Sequence, residues 1–238
     1  MIISSATSVG KIRTLNEDAF FVSTPSSTDS VLAIVADGMG GHNAGEIASA
    51  EAVNIIKNSV LHTESDAKEV LIESINRANT ELYNMSCEKE SLHGMGTTIT
   101  ACLIEQSKVT VAQVGDSRLY LVRNGRINQI TKDHSLVEML IDSGTITKED
   151  AKHHPQKNVI TRAIGTDSSV EADIYEFLAE ADDIILLCSD GLVNMVEDEK
   201  ILSLITGCED FENLADKLVT EAENAGGNDN ITVILIKF

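Results

Sequence analysis

Four aspartates stand where apolar runs stop. Asp37 directly follows Val31 to Ala36, Asp190 follows Ile184 to Ser189, Asp116 lies between Lys108 to Val114 and Ser117 to Arg123, and Asp229 precedes Ile231 to Phe238. If those ends gather at one edge of a fold, several carboxylates come within a few ångströms. Two unit charges roughly 4 Å apart repel by ~4 kcal/mol at an effective dielectric near 20, so such a cluster needs cations. Oxygen-only ligands, with no nearby Cys or paired His, select a hard divalent ion, Mg²⁺ or Mn²⁺, over Zn²⁺.

Each acid has a plainer reading beside this one. Asp37-Gly38 and Asp190-Gly191 are ordinary turn dipeptides, Gly115-Asp116-Ser117-Arg118 reads as a tight hairpin corner, and Asn228-Asp229-Asn230 reads as an Asx turn. Asn16-Glu17-Asp18 is a solvated acidic turn if Arg13 is only its surface ion partner. Asp37-Gly38-Met39-Gly40-Gly41-His42 carries more information, because three glycines just past a strand let the main chain approach a ligand closely; the alternative is a flexible connection. His134, His153 and His154 lack metal-ligand spacing and are assigned structural or solvent roles.

The elements that must position these groups follow from periodicity. Val31 to Ala36 is a short apolar strand, and Gly45 to Lys57 places Ile47, Ala48, Val53, Ile55 and Ile56 at helical spacing. Asp66 caps a long amphipathic helix reaching about Ser86, with Val70, Leu71, Ile75, Ala78 and Leu82 along one face. Thr97 to Ile104, Lys108 to Val114, Ser117 to Arg123 and Arg126 to Thr131 are β-branched runs. The gaps between them are too short for crossover helices and Asn124-Gly125 is a preferred hairpin turn, so the spacing predicts antiparallel neighbours throughout. Ser135 to Glu138 resembles a capping box opening a short helix that Gly144 closes, and Thr147 to Ala151 begins another. Ile184 to Cys188 is strand-like, helices fall near Glu197 to Ile205 and Asp210 to Asn224, and Ile231 to Phe238 is a last strand. Strands apolar almost throughout need cover on both faces. The expectation is an α+β fold, a four-layer α/β/β/α sandwich of two antiparallel sheets flanked by helices.

The chain has 238 residues, 42% hydrophobic, and its 18 Lys plus Arg against 38 Asp plus Glu give a formal charge of -20. That length suits one domain with a large core. Such an acidic chain repels nucleic-acid phosphates and anionic membrane faces. No apolar run approaches membrane-spanning length and no export pattern opens the sequence, so a soluble, cytoplasmic protein is expected. Cys87, Cys102, Cys188 and Cys208 form neither a zinc knuckle nor a disulfide framework, and Cys102 and Cys188 sit in core-like runs.

Taken in order, Arg13-x-x-Asn16-Glu17-Asp18, Asp37-Gly38-Met39-Gly40-Gly41-His42, Gly96-Thr97-Thr98, Gly115-Asp116-Ser117-Arg118, Ser189-Asp190-Gly191 and Gly227-Asn228-Asp229-Asn230 resemble the motifs of the type 2C metal-dependent protein phosphatases. Asp133-His134-Ser135, Gly144, His154-Pro155 and Ile160 to Gly165 resemble the bacterial branch, whose members often reverse Ser/Thr kinases. The resemblance implies one catalytic domain over 1–238 with a mobile flap at about 131–170. It implies that Asp37 bridges two Mn²⁺ or Mg²⁺ ions, that the Gly38 carbonyl serves one and that Asp190 and Asp229 hold the other. Glu17 acts through metal-bound water, Asp18 supports that shell, and Asp116 with Asp190 makes a third, weaker site. Arg13 matches the arginine that pairs with substrate phosphate through its bidentate fork. Animal members carry a proton-donating histidine two residues after the bridging aspartate; here that residue is Met39, whose thioether holds no proton, and His42 is the candidate in its place. The implied reaction is hydrolysis of phosphoserine and phosphothreonine esters on proteins by a metal-bridging water or hydroxide, in a monomer that opposes a Ser/Thr kinase. A non-catalytic phosphoprotein-binding domain of the same fold and a small phosphate-ester hydrolase are the rivals.

Overall fold

Apolar residues on both faces of Val31 to Ala36 demand two covering layers, and strand β3 (Ser30–Met39) has them. Its even positions Leu32, Ile34 and Ala36 face one hydrophobic cluster, and its odd positions Val31, Ala33 and Val35 face another. The computed structural model describes residues 1–23, 30–41, 44–61 and 66–238.

Strands β1 (Ile2–Ser8) and β2 (Asp18–Val22) precede β3. Helices α1 (Ala44–Leu61) and α2 (Ala67–Glu88) follow, the second opened by Asp66, whose side chain accepts the Lys68 N–H. Strand β4 (Gly96–Thr97) pairs with β3, and β5 (Ile99–Glu105) and β6 (Lys108–Val114) form a hairpin. β7 (Arg118–Arg123) and β8 (Arg126–Gln129) form a second hairpin, whose turn residues Asn124 and Gly125 both have positive φ. Residues 130–172 carry the short helices α3 (Leu136–Asp142) and α4 (Lys148–Lys152). The chain continues through β9 (Asp173–Leu178), β10 (Ile184–Cys188), α5 (Asp190–Val193), α6 (Asp198–Thr206), α7 (Leu214–Asn224) and β11 (Ile231–Lys237).

One sheet runs β1-β11-β10-β7-β8 and the other β2-β3-β5-β6-β9, with every pairing antiparallel. Helices α1 and α2 cover the second sheet through Ala48, Ile56, Leu71 and Ile75. Helices α5 to α7 cover the first through Leu192, Ile201, Leu214 and Leu218. Between the sheets, Val31, Val35, Cys102 and Val111 meet Leu119, Leu187, Ile234 and Ile236. This is the expected four-layer sandwich, and removing each such side chain from water stabilises it by ~1.5–3 kcal/mol.

The run of antiparallel neighbours is broken once. β6 and β7 do not pair: β6 lies beside β5 and β9, and β7 beside β10 and β8. Gly115-Asp116-Ser117 is therefore a crossing between sheets rather than a hairpin corner. Gly115 takes φ +101°, and a Cβ there would stand 2.6 Å from Thr98 Cβ, so the crossing needs glycine. Strand β9, at the sheet edge, did not show in the periodicity. Its alternation is weak because all its residues are partly or fully exposed. Cys102 and Cys188 are fully buried, as expected. No helix among the described residues is long and apolar enough to cross a membrane.

Candidate metal centre

The face between the sheets is apolar for most of its length and turns polar at one rim. The period of two that aims Val31, Ala33 and Val35 inward aims Asp37 the same way. Opposite it in register is Asp18, at the start of β2, whose inward neighbours are Phe20 and Val22. The other sheet supplies Ser189 and Asp190 after β10, and Asp229 and Thr232 around the start of β11. Asp116 enters from the crossing.

These acids are drawn together under electrostatic strain. Loss of water, then the charges of Asp18, Asp190, Asp116 and Asp229, holds Asp37 well above the ordinary carboxylate range. Asp18 is pushed up to about 7 by loss of water, although Ser189 and Thr232 hydroxyls oppose the shift by each donating to its Oδ2 at 2.7 Å. Asp116, 7% exposed, is pushed up to about 8 by burial and by Asp190. Asp190 is raised by desolvation and by Asp229, while hydrogen bonds from Asp37 and from Asn194 Nδ2 at 2.8 Å oppose this. Glu17 is raised chiefly by desolvation, against the pull of Arg13. Like charges kept this close are stable only if protonated or neutralised by cations.

Three of these carboxyls each leave one buried oxygen without a hydrogen-bond partner: Asp18 Oδ1, Asp116 Oδ1 and Asp190 Oδ1. Among the described residues no group of three such side chains stands assembled for a metal ion, and Asp37 and Asp190 are hydrogen-bonded to each other. Orphaned carboxylate oxygens, an all-oxygen donor set and raised acidities nevertheless fit hard divalent cations. The main chain is drawn in tightly beside them. Gly38 N–H donates to Glu17 O at 3.1 Å, and a Cβ on Gly38 would run into the Gly45 carbonyl, so β3 and the start of α1 approach as only glycines permit.

Arg13 sits on the outer edge, its side chain 47% exposed. Its Nη2 donates to Asp229 Oδ2 at 2.9 Å, and its Nη1 lies 3.8 Å from Glu17 Oε2. The pairing expected between Arg13 and the Asn16-Glu17-Asp18 turn is thus shared with Asp229. Met39 pairs with Gly96 in the β3–β4 ladder, and His42 lies outside the described residues. His153 is exposed, whereas His134 is buried and joins main chain at the crossing.

Spacing did not single out the groups that orient the acids. Asn230 accepts from Glu17 N–H at 2.8 Å and donates to Val9 O and Leu15 O at 3.0 and 2.9 Å, stitching the Arg13–Glu17 loop to the start of β11. Ser189 and Thr232 hold Asp18, and Gln113, Thr100 and Thr98 hold the 115–117 crossing. The Asn-Asp-Asn triplet was the signal for the first; hydroxyls on β-strands carry none, because only the sheet pairing brings them to the rim. Asn230→Ala is expected to cost about 2–3 kcal/mol, since it strands polar groups that had partners. Urea unfolding with and without Mn²⁺ checks it, and an unchanged midpoint would contradict the stitching role.

A model of the family described as "Protein phosphatase 2C" matches residues 8–235. The chain is 41% identical to the serine/threonine phosphatase stp of Listeria monocytogenes over 233 residues, 96% of this chain and 92% of that one. The solved S. agalactiae serine/threonine phosphatase superposes with a TM-score of 0.93 at 38% identity, covering 99% of this chain and 98% of that chain. The catalytic domain of the serine/threonine phosphatase PstP, solved with two manganese ions, superposes at 0.88 with 34% identity, covering 98% and 96%.

Proposed function

The chain belongs to the protein phosphatase 2C family, and from that premise we propose that it is a metal-dependent enzyme hydrolysing phosphoserine and phosphothreonine esters on proteins at the acidic rim. The observation that carries the reading is the gathering of Asp18, Asp37, Asp116 and Asp190 at one rim, each driven toward protonation, with orphaned carboxylate oxygens on three of them. Asp37, the Gly38 carbonyl, Asp190 and Asp229 would hold two ions, Mn²⁺ or Mg²⁺. Asp18 and Glu17 would support that shell, and Asp116 with Asp190 would hold a third ion. Bound there, such ions supply Lewis acidity toward phosphoryl oxygens and make water a nucleophile near neutral pH.

The chain's own groups do the rest. Ser189 and Thr232 fix one oxygen of Asp18 and leave the other buried without a partner. Glu17, held by Asn230 at its main-chain N–H, orients water at the edge. Arg13 presents an exposed fork that can leave Asp229 for a phosphate dianion, whose two oxygens match it better than one carboxylate oxygen does. That cation also offsets the long-range repulsion between an anionic substrate and a chain of charge -20. His42 is the candidate proton donor to the leaving alkoxide, in place of the histidine that Met39 replaces.

The single domain spans 1–238, with residues 131–170 as its flap. A cleft of about 540 Å³ opens between that segment and α6, floored by Asp116, Arg118 and Asp190. The ion pair of Lys152 on α4 with Glu197, 3.0 Å long, crosses from the flap to the start of α6. A phosphorylated segment entering this cleft meets the centre from the flap side. The physiological counterpart is a Ser/Thr kinase, and the working unit is a cytoplasmic monomer.

Assaying the purified chain on a phosphothreonine peptide with Mn²⁺ and again with excess chelator tests the function. Turnover is expected only with the ion, and equal rates would refute metal-dependent hydrolysis. A preference for free phosphoserine over the peptide would move the substrate from proteins to small esters.

A further inference from the structure

Asp133-His134-Ser135 has no role in the scheme above, yet His134 is only 8% exposed at the root of the flap. Its main-chain N–H donates to Gly115 O at 2.9 Å, and the Gly115 N–H donates back to its ring Nδ1 at 3.0 Å. One residue thus grips both polar groups of the glycine that leads into Asp116. The flap side is tied to the same residue. His134 O accepts from Thr161 N–H at 2.8 Å, and Nε2 stands 3.3 Å from Asp173 Oδ2.

These contacts fix the tautomer. Gly115 N–H can only donate, so Nδ1 is the acceptor and the neutral ring carries its proton on Nε2, aimed at Asp173. Arg162 Nη1, 3.1 Å from Nε2, then spends its hydrogens on Asp173 Oδ1 at 2.7 Å and Glu171 O at 2.9 Å. Burial lowers the His134 pKa, which favours the neutral ring these bonds require.

Asp116 is consequently held from two directions. On the sheet side, Gln113 Nε2 donates to Gly115 O at 2.9 Å and to Ser117 O at 2.7 Å, and Thr100 Oγ1 donates to Ser117 O at 2.8 Å. On the flap side, the Gly115 N–H has the His134 ring as its partner.

We propose that His134 is a positioning residue for the centre: its neutral imidazole fixes the Val114–Gly115 peptide, its main-chain N–H holds the Gly115 carbonyl that precedes Asp116, and Asp173 and Thr161 couple both to the flap. Without an acceptor at Nδ1, the buried Gly115 N–H is left unpaired, the Val114–Gly115 peptide turns about the flexible glycine to recover a partner, and the position of the Asp116 carboxyl one residue on shifts in response. The proposal rests on the placement of Asp116 at the metal centre.

Replacement chemistry separates positioning from packing. Asparagine carries an acceptor near the place of Nδ1, glutamine near that of Nε2, and leucine fills the volume with none. Mn²⁺ uptake by calorimetry and kinetics on a phosphothreonine peptide would be measured for the wild type and for His134→Asn, His134→Gln and His134→Leu. His134→Asn is expected to stay within about threefold of wild type, whereas His134→Gln and His134→Leu lose roughly 10–100-fold in Mn²⁺ affinity and in kcat with KM little changed. Wild-type behaviour of His134→Leu, or equal losses in His134→Asn and His134→Gln, would overturn the proposal. If His134→Leu does not fold, the Asn and Gln variants, both polar, decide alone. A wild type that hydrolyses no phosphopeptide would remove the phosphatase reading, while the calorimetric ranking of Asn against Gln would still decide the role of His134.

Discussion

Asp37→Asn is expected to abolish turnover on a phosphothreonine peptide, by about 10³-fold or more, equivalent to about 4 kcal/mol of transition-state stabilisation. The same change should make the metal-free protein more stable. Asp37 lies opposite Asp18 in register and bonds to Asp190, with its carboxyl held well above the ordinary range by lost hydration and by four other acids. An amide keeps the shape and removes the charge that those neighbours oppose. At pH 8 in chelator, thermal unfolding of the variant should therefore fall at a higher temperature than wild type, with activity lost. Loss of both activity and stability would mean that Asp37 serves the fold, and retained activity would take it out of the centre.

The second large effect is the linkage of stability to pH and to cations. Asp18 and Asp116 titrate near 7 and 8 in the folded chain, against 3.8 for an ordinary aspartate. The folded, cation-free protein therefore binds protons that the unfolded chain has released. Their contribution to stability is complete below about pH 4 and disappears as pH rises through 7 to 8. Chelated protein should accordingly melt at a lower temperature at pH 8.5 than at pH 5.5. Mn²⁺ replaces the protons as counter-charge and should narrow that difference. At a hundredfold excess over Kd a ligand adds about 2.7 kcal/mol, and at about 2–4 °C per kcal/mol for a domain this size the melting temperature should rise by roughly 5–10 °C at pH 8.5. Differential scanning calorimetry in chelator and in Mn²⁺ measures both arms. A cation-free protein that is more stable at pH 8.5, or unmoved by Mn²⁺, would show that the acids are not under mutual repulsion.

Much of this site was legible because its parts lie where local pattern changes. Apolar runs that stop at Asp37, Asp116, Asp190 and Asp229 are visible without a partner strand, and so are the Asp66 cap and the Asn124-Gly125 turn. Sheet partnership is non-local, and there the sequence misleads. The residues around Gly115 satisfy a hairpin as well as a crossing, and only the pairing of β6 with β9 and of β7 with β10 decides between them. Strand β9 carries little signal because an edge strand with solvent-facing acids lacks the continuous apolar run of its neighbours. The roles of Ser189 and Thr232 were hidden for a related reason: each is an ordinary polar residue until register brings it to Asp18.

Asp18 and Asp37 belong to one leaf of the sandwich, and Asp190 and Asp229 to the other. On the proposed assignment, neither leaf alone supplies all the ligands. Cation uptake should work as a rivet through the two, so that chelation loosens one leaf against the other and hydrogen exchange at the rim quickens before either leaf melts. Half-assembled molecules would then be silent rather than sluggish, and specific activity would count the fraction of chains that have closed.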